Sequence, residues 1–245
     1  MLFRSGFLPG AVLAGHPSQV VIPLIWVVAA CLAREGRFVW FGALLGLATG
    51  WEVWGILGAP LILLAARPGV LRAALGGAAV VLVTFGPFVA LGSFAMFQKT
   101  WGVSGGTLVN ALFPDLSEFP WTLRLVQTAV ALLAGCAVAL LARHTDYGVW
   151  LVPLAIIGAR LTLDPLGLNY YWIAPAILGL GLAGSGPLQR DWAGAAFGIG
   201  IATLSYSAGG GTFVFPVIAL VAVIGAAVAL RVGRAPMSPD TAVSS

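Results

Sequence analysis

The sequence predicts an all-α, polytopic membrane helix bundle, and three observations lead there. Hydrophobic residues make up 60% of the 245-residue chain and charged residues only 8%, against roughly 25% charged in a soluble domain. The mean hydropathy of +1.02 leaves too few polar side chains to cover a water-facing surface, so lipid must solvate most of the exterior. The apolar runs, such as 125–141 and 213–230, are continuous, whereas a membrane barrel would alternate polar and apolar residues. A helix also satisfies its own backbone hydrogen bonds in lipid. At about 20 residues per span, the length accommodates roughly seven or eight helices.

Each element follows in order. Residues 1–13 carry one cation, Arg4, but the apolar stretch is short and broken by Gly6, Pro9 and Gly10, unlike a cleavable signal. A polar turn, Gly15-His16-Pro17-Ser18-Gln19, precedes a first span at 20–33, which stops at Arg34-Glu35-Gly36-Arg37. The apolar segment 38–66 is interrupted at Thr49-Gly50-Trp51-Glu52-Val53-Trp54-Gly55 and ends at Arg67 and Arg72. A third span is expected at 73–91. The longest non-apolar segment, 92–120, holds Lys99, Trp101, Asn110, Asp115 and Glu118. Further spans are expected at 121–142, 147–161, 170–183, 192–206 and 212–230. Residues 1–231 thus read as one integral membrane domain, and the polar, Pro-containing tail 232–245 as a disordered cytoplasmic extension.

Arginines set the orientation. Arg143, Arg190 and Arg231/Arg234 share a side if 147–161 with 170–183, and 192–206 with 212–230, form hairpins. The positive-inside rule makes that side the cytoplasm, in a chain integral to the plasma membrane. One straight span over 38–66 would place Arg34/Arg37 opposite Arg67/Arg72. A re-entrant or broken helix pair there keeps both pairs cytoplasmic, and the polar, glycine-flanked middle permits the break. The exterior end then gathers 15–19, the break at 50–55, the 92–120 loop, the 160–169 turn and 207–211. Glycines in Leu75-Gly76-Gly77-Ala78-Ala79, and Gly194, Gly198 and Gly200, are weak signals of close helix contact.

The net charge is +4, but the arginines sit singly or in pairs at the ends of apolar runs, so no nucleic acid partner is expected. Cys31 and Cys136 lie within apolar runs without metal-ligand spacing, and read as small buried apolar side chains. No Walker loop, zincin helix, dinucleotide fingerprint, Ser–His–Asp signature or Cys cluster is present, so ATP-driven transport, a bound metal and a cofactor are not expected.

Ionisable groups inside apolar segments are costly and mark candidate sites. Glu52, between Trp51 and Val53, suits a base, a proton carrier or an acceptor for a ligand hydroxyl. The plain alternative is a water-facing Glu at a hairpin tip. Arg160 and Asp164 stand at i,i+4, sharing a helix face if the turn continues, and Pro165 favours a helix boundary just before it. An arginine on the exterior side suits a phosphate or carboxylate through its bidentate fork. Asn169, Tyr170, Tyr171 and Trp172 read either as a polar anchor beside a sugar-stacking surface or as an interfacial aromatic belt. His16, with Gln19 one turn later, suits proton transfer or hydroxyl binding, or simply a capping role. Asp115 and Glu118, in the large exterior loop, suit cation binding or acid–base catalysis, or are simply solvated loop carboxylates.

The order of these elements resembles the central part of the actinobacterial polyprenol-phosphate-mannose-dependent mannosyltransferases of the GT-C class. The likeness rests on Gly15-His16-Pro17-Ser18-Gln19 and on the span ending at Arg34-Glu35-Gly36-Arg37. It continues through 38–49, the short second half-helix with Pro60, Arg67, and Asp164-Pro165-Leu166-Gly167-Leu168-Asn169-Tyr170-Tyr171-Trp172. It covers residues 10–185 through short motifs of low specificity. It implies a membrane enzyme with an exterior active site that uses a polyprenyl-phosphate-linked sugar. The family's catalytic carboxylate lies in a loop after its first span, so the expectation is either an upstream half carrying that loop or a degenerate relative that binds a lipid-linked sugar without transferring it, and no catalytic residue is assigned here. Where the family has a basic residue in the helix break, this chain has Gly50-Trp51-Glu52. The expected ligand contacts are His16, Gln19, Trp51, Glu52, Trp54, Arg160, Asp164, Asn169, Tyr170 and Tyr171. The rival expectations are a small-molecule or lipid transporter, whose broken helices carry midplane charges, and a non-catalytic membrane scaffold.

Overall fold

The computed structural model describes residues 16–92, 98–188 and 192–208, with positions 217, 220, 221, 224, 225 and 228. The expected span at 212–230 lies mostly outside the described residues, and the tail 232–245 wholly so. The described chain is all-α apart from one small ribbon. Its helices are α1 (Ser18–Arg34), α2 (Phe38–Trp51), a 3-10 helix (Val53–Leu64), α3 (Val70–Leu91), α4 (Leu108–Leu112), α5 (Trp121–Ala142), α6 (Gly148–Thr162), a 3-10 turn (Asn169–Trp172), α7 (Ile173–Leu188) and α8 (Trp192–Ala208). The ribbon pairs β1 (Trp101–Gly102) with β2 (Glu118–Phe119), Trp101 opposite Phe119.

Among the described residues, two helices, α3 and α5, are long and apolar enough to cross a membrane. Their 22 residues each extend about 33 Å at 1.5 Å per residue, matching a hydrocarbon core of about 30 Å. The apolar helices α1, α2 and α6 and the 3-10 helix Val53–Leu64 are shorter. On α3 only Ala73 and Gly76 are buried, while Leu71, Leu82, Val83 and Leu91 are 70–90% exposed. A soluble protein rarely leaves so large an apolar face uncovered. At the other extreme, α6, apolar but for Arg160 and Thr162, is buried from Gly148 to Leu161 except at Trp150, as befits a central helix.

The break in 38–66 is sharp. Glu52 is a single extended residue, φ −142°, ψ 138°, between α2 and the 3-10 helix. Its N–H still donates to Ala48 O (3.1 Å), while its carbonyl accepts from Gly55 N–H (2.8 Å). The two halves then run back along each other. A Cβ on Gly55 would fall 2.3 Å from the Ala48 carbonyl carbon, one on Gly58 2.9 Å from Leu45, and one on Gly69 2.2 Å from the Phe38 ring. Both arginine pairs, 34/37 and 67/72, therefore flank the same end of the hairpin. Trp26 of α1, fully buried, pins the turn by donating its indole N–H to Gly55 O at 2.9 Å.

Small residues make the tightest helix crossings. A Cβ on Gly42 would lie 1.8 Å from Ala73 O, one on Gly46 2.6 Å from Gly77 O, and one on Gly76 2.2 Å from Val39 O. The α2 and α3 backbones therefore touch, as small-residue packing allows. Gly198 of α8 meets Ala183 and Gly179 of α7 in the same way, but Gly200 has nothing within 4 Å.

Several boundaries differ from the sequence expectation. Ser18 and Gln19 belong to α1, so the first turn stops at Pro17. Arg72 lies inside α3, and Arg160 in the last turn of α6, before the turn expected from 160. The helix expected from Tyr170 starts at Ile173, because 169–172 winds as a 3-10 turn. Cys31 is exposed and Cys136 partly so, correcting the expectation that both are buried.

The elements sort into two ends. At one, Arg34 donates to Thr145 O and lies 3.7 Å from Asp146, beside the Phe38–Gly69 contact. At the other stand His16, the Glu52 break, the end of α6, the 169–172 turn and the 98–120 segment, which docks through Ser104 N–H on Pro165 O (2.8 Å).

Candidate functional site

The second end gathers most of the residues singled out by sequence. Glu52 projects from the hairpin tip with both carboxylate oxygens engaged. Oε1 accepts from Ser18 Oγ at 2.5 Å, and Oε2 from the Trp54 indole N–H. His16 Nδ1 stands 3.6 Å from Oε1. The His16 ring stacks on Tyr170, centroids 5.1 Å apart and planes 12° from parallel, and Tyr170 meets Tyr171 edge to face at 5.0 Å.

Arg160 enters from the end of α6. Its guanidinium lies 4.4 Å from the Trp54 ring centre and 5.5 Å from that of Tyr171. It donates to Gln19 Oε1 at 3.5 Å and stands 3.9 Å from Asp164 Oδ2. Two chains of contacts therefore join His16 to Arg160, one through Glu52 and Trp54, the other through Tyr170 and Tyr171. Trp54 serves both charges, its edge donating to the carboxylate and its face holding the cation. Burial is the main cause that pushes the Tyr171 phenol well above its ordinary value, with the Asp164 charge adding to it, so Tyr171 stays a neutral O–H donor.

Asp164 is the hub of the deeper layer. Its side chain is 3% exposed and faces two arginines, Arg160 and, at 3.6 Å, Arg124. Gln127 donates to Arg160 O (2.8 Å) and to Asp164 Oδ2 (3.4 Å), and accepts from Arg124 at 2.6 Å. Oδ1 of Asp164 accepts the Leu166 N–H at 3.0 Å, an Asx-type turn that carries the chain through Pro165. Above Arg124 lie the rings of Trp101 (4.3 Å) and Phe119 (5.1 Å). The ribbon of the 98–120 segment thus covers this second cation. Buried Arg160 and partly buried Arg124 share the buried carboxylate of Asp164, and Glu52 stands as the second carboxylate of the cluster, across the Trp54 indole from Arg160.

Sequence reasoning passed over Ser18, Arg124 and Gln127. Gln127, a polar side chain inside the apolar run 121–142, was the available signal; Arg124, at the start of that run, reads as an interfacial charge. Trp51 is not part of the cluster. It ends α2 next to Glu52 and is 48% exposed. The side chain of Asn169 lies outside the described part. Asp115 and Glu118 are exposed on the 98–120 segment, and among the described residues no group of His, Cys, Asp and Glu could hold a metal ion. A shallow depression beside the hub is lined by Thr107, Leu108, Asp164, Gly167 and Tyr171.

No protein-family model, curated protein or solved structure matches this chain.

Proposed function

We propose that the chain is a polytopic membrane protein of about seven or eight spans. In this proposal it binds a polyprenyl-phosphate-linked sugar at the exterior face of the plasma membrane, in the manner of GT-C glycosyltransferases. The single observation that carries the assignment is Arg160 over the rings of Trp54 and Tyr171, with Glu52 at the N–H edge of the same indole and His16 beside Glu52. A cation walled by aromatic faces beside carboxylate and imidazole suits a molecule with a phosphate at one end and hydroxyls at the other. Arg160 takes the phosphate, Trp54 and Tyr171 stack on the sugar ring, and Glu52, His16 and Gln19 engage its hydroxyls. The polyprenyl tail runs into lipid along the exposed apolar helix faces.

Binding of a short-chain polyprenyl phosphate mannose to the protein in nanodiscs tests the assignment. Arg160→Ala should weaken binding at least about tenfold, the cost of one charge-assisted contact. Trp51→Ala, outside the cluster, should leave affinity within about twofold. Equal affinity in wild type and Arg160→Ala rejects the assignment.

A further inference from the structure

The opposite end of the bundle holds two cations that the fold does not use. Its carboxylates are already taken, Asp146 by Arg34 and Glu35 by Arg37, each at 3.7 Å. Arg143 donates to His144 at 2.8 Å. Arg67 and Arg72 differ. Both are exposed, and among the described residues neither side chain makes an ion pair or a hydrogen bond. They stand on either side of Gly69, which is pressed against the Phe38 ring, so both sit at the foot of α3 where it meets α2. Above Arg72 the same face of α3 is bare. Leu75, Ala79, Leu82 and Val83 follow it at i+3, i+7, i+10 and i+11 and share its face, and all four are exposed. A Cβ on Gly86, one turn further on that face, would meet nothing within 4 Å. From Arg72 to Val83 the stripe rises about 17 Å, close to the roughly 15 Å of hydrocarbon in one leaflet.

We propose that the foot of α3 binds an anionic phospholipid from the leaflet on the arginine side. Arg67 and Arg72 hold the headgroup phosphate, and one acyl chain lies along Leu75, Ala79, Leu82 and Val83. Unpaired guanidinium forks at one end of a leaflet-deep apolar stripe match both parts of such a lipid. A second copy of the chain fits less well. A symmetric contact through the same stripe would set Arg72 against its own counterpart, like charge against like. Free phosphate would satisfy the arginines and leave the stripe bare. The site needs the membrane placement of the chain but not the sugar donor, which belongs to the other end. Arg67 closes the 38–69 hairpin and Arg72 opens α3, so a headgroup shared by both ties the two together and braces the hairpin that carries Glu52.

The test places the full chain in phosphatidylcholine nanodiscs with and without phosphatidylglycerol, and counts retained lipid by native mass spectrometry. Wild type should retain phosphatidylglycerol over phosphatidylcholine and melt at a higher temperature in its presence. Arg67→Gln and Arg72→Gln should each weaken retention about fivefold, and the double variant about 25-fold, the share of one and of two cations near an anionic headgroup. The double variant should melt like wild type in phosphatidylcholine alone and lose the gain from phosphatidylglycerol. Arg67→Lys with Arg72→Lys, which keeps both charges, should stay within about threefold of wild type. Arg143→Gln removes the same charge from the turn between α5 and α6 and should change retention by less than about twofold. A phosphatidylglycerol with a photoreactive acyl chain should label residues 75–83. Equal retention by wild type and the Arg67→Gln/Arg72→Gln double variant, an equal loss in Arg143→Gln, or labelling that avoids 75–83 overturns the proposal. So does cross-linking of α3 to α3 of a second copy that phosphatidylglycerol fails to displace.

Discussion

Arg160 shows how its surroundings set the chemistry of one side chain. A guanidinium desolvated over an aromatic face gains about 2 kcal/mol, and here the same indole also donates to Glu52. Trp54→Phe should therefore keep most of the stability but release Glu52, visible as weaker sugar binding with little change in melting temperature. Asp164 carries a different weight. Removing one partner of a buried ion cluster leaves an uncompensated charge and costs about 3–5 kcal/mol. Asp164→Asn should lower thermal stability in detergent by that order, and adding Arg124→Leu should recover part of it. No recovery would mean that Arg124 and Asp164 are not coupled. Glu52, Arg160 and Asp164 were legible in the sequence because charge inside apolar runs is expensive. Arg124 was not, because near the start of an apolar run it reads as an interfacial charge. Only the fold brings Trp101 and Phe119 over it. Trp51 and Trp54 stand on either side of Glu52 in sequence, and past the extended backbone at Glu52 Trp54 meets the cluster through its N–H and its ring face.

Among the elements, the hairpin 38–69 and its contact with α3 decide where Glu52 stands. Charge bookkeeping pointed to the fold-back, because one straight helix would separate the two arginine pairs. The tightness of the turn was not readable, since it depends on Gly55 seating against Ala48 and on Trp26 reaching Gly55 O. The glycines of α2 and α3 give a clean test. Gly42→Leu forces side-chain atoms into the Ala73 carbonyl and should destabilise by at least about 1–3 kcal/mol. Gly200→Leu, with open space around its Cβ, should change stability by less than about 0.5 kcal/mol. Thermal melts of the two variants in one detergent compare them directly. Similar melting temperatures would mean that the backbones of α2 and α3 do not touch. The element boundaries at 18–19 and 169–172 escaped the sequence pattern because Ser18 and Gln19 are polar within a helix, and because the Asp164–Pro165 turn delays the start of α7.

At the scale of the whole molecule, polar chemistry is segregated to one end of an apolar bundle. His16, Glu52, Arg160, Asp164 and the ribbon meet there, while Arg34, Asp146 and the Phe38–Gly69 contact mark the other. Composition alone indicated the helical class, but convergence of side chains from 16 to 171 is a property of packing. The central claim is that these two ends face opposite sides of a membrane, with the site outward. Impermeant thiol labelling of intact cells tests it, using single-cysteine variants at exposed positions in a background with Cys31 and Cys136 replaced by Ser. Ser117→Cys, on the site end, should label from outside. Glu35→Cys and Arg67→Cys, on the arginine end, should label only after permeabilisation. Labelling of Ser117→Cys and Glu35→Cys from the same side, or of Glu35→Cys and Arg67→Cys from opposite sides, would contradict it.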